Sequence, residues 1–282
     1  MSEPLDPFMI RAHVPEFETH LAAYRRASEH ARRTLRGVPD LAYGDHADEK
    51  LDLYLPDGEG PHPVHVFVHG GYWRAFSKAD YAFVADAVTA QGAIAAIIDY
   101  SLMPKARMAV LVDQVRRAVA WVAANAGRWG GDPKAISASG ASAGAHLASF
   151  LACHGAREDA APAMPVRSLL LVSGIYDLGP ITRSFLQPEI ALTAAEVAAW
   201  SPLAATPMPG RAVDIIVGAD ETPPFLGQGR AFAAHLAAAG VDASFTTLPG
   251  ENHMSIATAL GTPGTALADR LGRTIAASRR GG

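Results

Sequence analysis

Residues 135–153 read Ala-Ile-Ser-Ala-Ser-Gly-Ala-Ser-Ala-Gly-Ala-His-Leu-Ala-Ser-Phe-Leu-Ala-Cys, and the pentapeptide Gly140-Ala141-Ser142-Ala143-Gly144 inside them decides the fold. A short apolar run, Ala135 to Ser139, precedes it, and a helix-like stretch, Ala143 to Cys153, follows. In that strand–turn–helix setting a G-x-S-x-G is a turn too tight for side chains at its outer positions, which accounts for Gly140 and Gly144. The turn lifts the Ser142 hydroxyl above the end of a sheet, where a substrate reaches it. A chain with 26 Gly also produces such a match by chance, so the reading needs a base, an acid and an oxyanion site elsewhere.

Working outward, apolar runs alternate with helical patterns. Strands are expected at Leu41–Gly44, Glu49–Leu55, Val64–His69, Ala93–Asp99, Ser168–Ser173, Val213–Gly218 and Ala243–Leu248. The near-continuous run Ala93–Asp99 marks a strand buried on both faces. The alternation of Leu51, Leu53 and Leu55 predicts an antiparallel edge with one wet face. Helices are expected over 79–90, 106–125, 227–239 and 262–279, and an amphipathic one over 15–36, ended by Gly37 and Pro39. That first helix reads as an amino-terminal packing helix, with a lid as the alternative. An irregular segment over about 179–210, rich in Pro and Ala with a short helix near Thr193–Trp200, reads as a small cap insertion. The pattern implies an α/β fold with a mostly parallel, doubly covered sheet. No repeat or linker divides it, so residues 1–282 are expected to form one domain, with 1–40 as an amino-terminal helical segment.

Bulk properties narrow the function. The chain is 49% hydrophobic and 18% charged, as ordinary globular proteins are. A net charge of −4 excludes a broad nucleic-acid surface, which needs clustered Lys and Arg. No apolar run approaches the ~20 residues of a membrane helix. The start, MSEPLDPFMI, has acids and prolines where a signal peptide needs basic and then apolar residues. Cys153 is the single cysteine, so an internal disulfide is impossible and a cytoplasmic location is expected.

A serine hydroxyl needs an adjacent base to become a nucleophile. His253, in Gly250-Glu251-Asn252-His253-Met254 just after the last strand, fits that role. His146, one turn beyond Ser142, points along the helix instead. An acid must orient the imidazole and balance its charge. Asp220 and Glu221 follow the strand Val213–Gly218, and Asp177 follows the strand before it; spacing does not separate the first two. Gly70 and Gly71 let the chain bend after Val64–His69 so that its amides converge, and Ala143 supplies a further donor. No Cys/His cluster suggests a metal, and acyl transfer of this kind needs no cofactor.

His69-Gly70-Gly71-Tyr72-Trp73, Asp99-Tyr100-Ser101-Leu102-Met103-Pro104, Gly130-Gly131-Asp132-Pro133 and the Ser142 turn with its Ala145-His146-Leu147-Ala148 continuation together resemble the α/β-hydrolase superfamily. Within it they are most similar to the kynurenine formamidase (arylformamidase)-like esterases, related to the hormone-sensitive lipase group. The resemblance covers most of residues 45–260 and implies an α/β-hydrolase fold. It also implies a Ser142–His253–acid triad, with an oxyanion hole from the amides of Gly71, Tyr72 and Ala143. In Val217-Gly218-Ala219-Asp220-Glu221-Thr222 it puts Glu221 in the acid slot, where Asp is the commoner occupant, and leaves Asp220 as the alternative. Trp73, Tyr100 and the 179–210 insertion would line the substrate pocket. The implied activity is hydrolysis of a small-molecule ester or aryl formamide, with a true N-formylkynurenine formamidase as one alternative. A non-catalytic binding module on the same fold is another. A dinucleotide-binding domain is disfavoured, because Ser142 stands where G-x-G-x-x-G needs a glycine.

Overall fold

Buried apolar runs form the middle of the sheet, and the chain is described by a computed structural model over residues 5–160 and 162–279. The expectations on residues 1–4 and on 280–282 lie outside the described residues. The strands are β1 (Arg36–Ala42), β2 (Lys50–Leu55), β3 (His62–Val68), β4 (Ile94–Ile98), β5 (Gly131–Ala141), β6 (Val166–Val172), β7 (Ala212–Gly218) and β8 (Asp242–Leu248). They form one eight-stranded sheet in the order β1-β2-β4-β3-β5-β6-β7-β8. From β4 to β8 every pairing is parallel, whereas β2 is antiparallel to both β1 and β4. All five residues of β4 are buried, as a strand covered on both faces requires.

The helices are α1 (Ile10–His13), α2 (Phe17–Thr34), α3 (Val84–Ala90), α4 (Met108–Asn125), α5 (Ala143–Ser149), α6 (Gln187–Ile190), α7 (Ala194–Trp200), α8 (Pro223–Ala238), α9 (Ser255–Gly261) and α10 (Ala266–Ala277). Thr193 caps α7 in a reciprocal capping box with Glu196. None of the described helices is long and apolar enough to cross a membrane.

Several expectations are corrected. β2 is an interior strand: Asp52 and Tyr54, expected on a wet face, are 5% and 3% exposed. Asp52 tolerates burial because the Lys78 ammonium reaches it at 2.7 Å. The edge strand is β1, which begins at Arg36 rather than Leu41 and accommodates Pro39 at a register shift between Val38 and Leu41. The helix expected over 79–90 begins only at Val84. The helix after Ser142 stops at Ser149, and Cys153–His154 instead pair with Thr206–Pro207. The closing helix expected over 262–279 is α10, which begins only at Ala266, and a short helix that was not expected, α9, precedes it.

Candidate active site

The parallel sheet delivers Ser142, Ser173 and Glu221 to one edge, because each directly follows or closely trails the carboxyl end of a central strand: β5, β6 and β7. Ser142 has φ 55° and ψ −119°, a conformation that costs a non-glycine residue roughly 1–3 kcal/mol. Its amide donates to Val172 O at 2.8 Å, and its carbonyl accepts from the His146 amide at 3.1 Å. The turn leaves no room beside it. A Cβ on Gly144 would lie 2.0 Å from Val68 O, and one on Gly140 would lie 2.3 Å from Gly144 O.

His253 reaches Ser142 from the loop between β8 and α9. Asn252 shapes that loop, its Oδ1 accepting from the amides of Met254 and Ser255, both at 2.9 Å. Tyr24 of α2 anchors it from above, its hydroxyl donating to Met254 O at 2.5 Å. The Phe225 ring packs against the imidazole with centroids 4.3 Å apart. His253 Nε2 lies 3.0 Å from Ser142 Oγ, and His253 Nδ1 lies 2.6 Å from Glu221 Oε2. A carboxylate at Nδ1 assigns the proton there, which leaves Nε2 to accept from the serine hydroxyl.

Of the candidate acids, only Glu221 meets the imidazole. It is 7% exposed, and its Oε1 accepts from the Gly218 amide at 2.8 Å and from the Ser173 hydroxyl. Asp220 is exposed. Asp177 is engaged in a local turn, accepting from the Gly179 amide at 2.8 Å. Ser173 escaped the sequence reading. Its one signal was a serine between the apolar run Leu169–Val172 and Gly174, at the end of a buried strand.

Gly71, at φ +113°, and Tyr72, at φ 50°, turn the chain back after β3. Among the described residues no oxygen accepts from the amides of Gly71, Tyr72 or Ala143. Gly71 and Tyr72 line the cavity that Ser142 and His253 open into, and Ala143 directly follows Ser142 in the chain. That cavity is about 80 Å³ and is walled by Ile10, Phe17, Tyr24, Phe76, Tyr81 and Met254, among others. A second, larger cavity of about 410 Å³ shares Ile10, Phe17, Tyr72 and Phe76 with it and extends to Met9, Arg74 and Phe185.

The walls differ from expectation. Trp73 and Tyr100 line neither cavity. Trp73 is wholly buried and its indole donates to His146 Nδ1 at 3.1 Å; the Tyr100 hydroxyl donates to His69 O at 2.9 Å and its ring stacks on His69. The segment over 179–210 contributes Phe185 to the larger cavity, and the other walls come from Met9, α1, α2 and the loop Gly71–Phe76 after β3. The amino-terminal segment therefore does more than pack. Asp6 accepts from the Phe185 amide at 2.6 Å, the Tyr72 hydroxyl donates to Phe8 O at 2.6 Å, and the Thr222 hydroxyl donates to Pro7 O at 2.8 Å.

His146 has both ring nitrogens engaged, by Trp73 and by Trp200 O at 2.9 Å, and burial pushes its pKa down to about 4. It is a neutral core histidine, as its direction along the helix suggested. Among the described residues no group of three or more His, Cys, Asp or Glu side chains is arranged to hold a metal ion.

A mostly parallel sheet in this strand order, helices on both sides and a serine turn after the central strand define the protein as an α/β-hydrolase. Comparison with known proteins narrows the class. The BD-FAE family model matches residues 51–180. Kynurenine formamidase of Danio rerio is 33% identical over 244 residues, covering 84% of this chain and 81% of the relative. Isoprenylcysteine alpha-carbonyl methylesterase of Arabidopsis thaliana is 37% identical over 109 residues, 38% of this chain and 26% of the relative. A solved structure of a candidate thioesterase from Silicibacter sp. superposes with a TM-score of 0.80 at 26% identity, covering 95% of this chain and 98% of the other. The chain belongs to the kynurenine formamidase family, and it is a hydrolase of the esterase and arylformamidase-like kind.

Proposed function

We propose that the protein is a serine hydrolase that cleaves a small-molecule carboxylic ester or aryl formamide through an acyl-enzyme, and that a carboxylesterase activity is the favoured form. The observation that carries this reading is the hydrogen-bonded chain Ser142 Oγ, His253 Nε2, His253 Nδ1, Glu221 Oε2 beside three amides that no oxygen engages among the described residues. His253 takes the Ser142 proton as Oγ attacks the carbonyl carbon. Glu221 stabilises the imidazolium that results, and the amides of Gly71, Tyr72 and Ala143 hold the oxyanion. The imidazolium then protonates the leaving alcohol or amine, and the carbon–oxygen or carbon–nitrogen bond breaks. A water repeats the sequence on the acyl-enzyme and releases the acid.

The two neighbouring cavities, which share Phe17 and Tyr72 as walls, support a substrate with unequal halves. The acyl group remains on Ser142 and suits the 80 Å³ compartment, while the departing group suits the 410 Å³ compartment. Cys153, buried and unpaired, suits a reducing compartment such as the cytoplasm. The Danio rerio relative supports a second reading, N-formylkynurenine as substrate. Comparing kcat/KM for N-formylkynurenine with that for short and medium acyl esters separates the two.

The central test is Ser142→Ala with a short p-nitrophenyl ester. Activity is expected to fall by at least about 10³-fold, since the oxyanion donors alone leave only a residual rate. Retention of most activity would refute the mechanism. A fluorophosphonate probe is expected to label Ser142; absence of label favours a binding module instead.

A further inference from the structure

Ser173 is the first residue after β6, is 2% exposed, and lines the same cavity as Ser142 and His253. Its φ is +53°, the left-handed region that serine occupies only at a cost and that glycine, present next door as Gly174, enters freely. The backbone there is fixed by the Ser173 amide donating to Ile216 O at 2.8 Å. Its hydroxyl has a single partner among the described residues, Glu221 Oε1.

The acid it touches is a glutamate. Relative to aspartate it carries one more rotatable bond, so its carboxylate has more orientations to lose when it settles against the imidazole. Two donors act on the oxygen that faces away from His253. One is the Gly218 amide, which belongs to the backbone, and the other is the Ser173 hydroxyl. With Oε1 held from both sides, Oε2 is directed at His253 Nδ1. Glu221 is buried, so each donor also replaces hydration that its charge has lost.

On the serine-hydrolase reading above, we propose that Ser173 is a positioning residue that acts on the reaction through Glu221, holding the carboxylate in the rotamer that orients His253. The hydroxyl does not touch the scissile bond. It takes part in no proton transfer, and its effect on the rate passes wholly through the acid. A strained serine with its one side-chain bond to the acid is what such a role requires, and it is the feature that lets the longer glutamate do the work of an aspartate.

The experiment compares Ser173→Ala and Ser173→Gly, alone and combined with Glu221→Gln, using a short p-nitrophenyl ester. Both single variants are expected to lower kcat by about 10- to 100-fold, the weight of one hydrogen bond to a charged group, with KM within twofold. Glycine removes the hydroxyl and relieves the backbone strain together, so it keeps the test open where the alanine variant fails to fold. In the Glu221→Gln background the same changes are expected to alter kcat by less than twofold, because the charge through which Ser173 acts is gone. A kcat within twofold of the parent in the foldable single variant overturns the proposal. So does the full loss persisting beside Glu221→Gln. If Ser142→Ala keeps its activity, this inference and the serine-hydrolase reading fall together. If Ser142→Ala is inactive and the Ser173 variants are unimpaired, this inference alone fails.

Discussion

Asp220 and Glu221 are neighbours in the chain, yet their carboxylates meet opposite surroundings. Asp220 is exposed to water, and among the described residues only its amide is engaged, donating to Glu251 O at 3.0 Å. Glu221 is enclosed, holds three donors and faces the imidazole. On the proposed mechanism, Glu221→Ala is expected to lower kcat by about 10³- to 10⁴-fold, the order of losing a triad acid. Asp220→Asn is expected to leave it within about twofold, as a surface change away from the site should. Steady-state kinetics on the two variants side by side checks both, and a larger loss in Asp220→Asn than in Glu221→Ala would reverse the assignment. The same reasoning at residue level separates the histidines. His253 offers one nitrogen to the serine, whereas Trp73 and Trp200 occupy both nitrogens of His146.

At the scale of elements, the amino-terminal strap and α2 form the roof of the site. Phe17 begins α2 and lines both cavities, so it stands between the small compartment and the large one. Phe17→Ala is expected to open the small compartment toward the large one. The ratio of kcat/KM for hexanoate over acetate esters should then rise at least about fivefold, since each added methylene in an apolar pocket is worth ~1–3 kcal/mol. An unchanged ratio would show that other residues set the acyl limit. How legible an element was depended on whether its own residues carry its reason. β4 and β5 announce themselves by apolar content, and the Ser142 turn by its two glycines, because burial and close approach act on those residues directly. The wet face assigned to β2 was misread because Asp52 is buried by virtue of Lys78, which lies 26 positions along the chain. Trp73 and Tyr100 look like pocket aromatics in sequence but spend their polar atoms on the core, while the real walls, Ile10, Phe17 and Tyr24, come from a segment whose docking depends on Asp6 and Phe8 meeting Phe185 and Tyr72. Glu221 stood out from Asp220 only by resemblance, since what distinguishes them is the direction each side chain takes after β7.

At the scale of the whole molecule, one buried cluster spans both faces of the sheet, and it encloses imidazoles as well as hydrocarbon. His65 lies in the sheet between the hydroxyls of Ser137 and Ser139, at 2.8 and 2.7 Å, and burial lowers its pKa to about 3. Burial likewise lowers His69 and His146 to about 4 each. Each is neutral when folded and takes up a proton near the ordinary 6.5 when unfolded, so the unfolded chain binds more protons as pH falls. Stability is therefore full above pH 6.5 and is lost progressively from there toward pH 4. Asp99 works the other way: burial raises it to about 6, so folding gains as it protonates below that value. Between pH 7.5 and pH 5.5 each histidine costs on the order of 1 kcal/mol and Asp99 returns somewhat less than that, leaving a net loss of a few kcal/mol. Equilibrium urea unfolding at the two pH values, at constant ionic strength, measures this difference. A stability unchanged between pH 7.5 and 5.5 would mean that the three imidazoles are hydrated or charged in the folded protein. The same loss shrinking in His65→Gln would assign part of the acid sensitivity to the imidazole buried in the sheet.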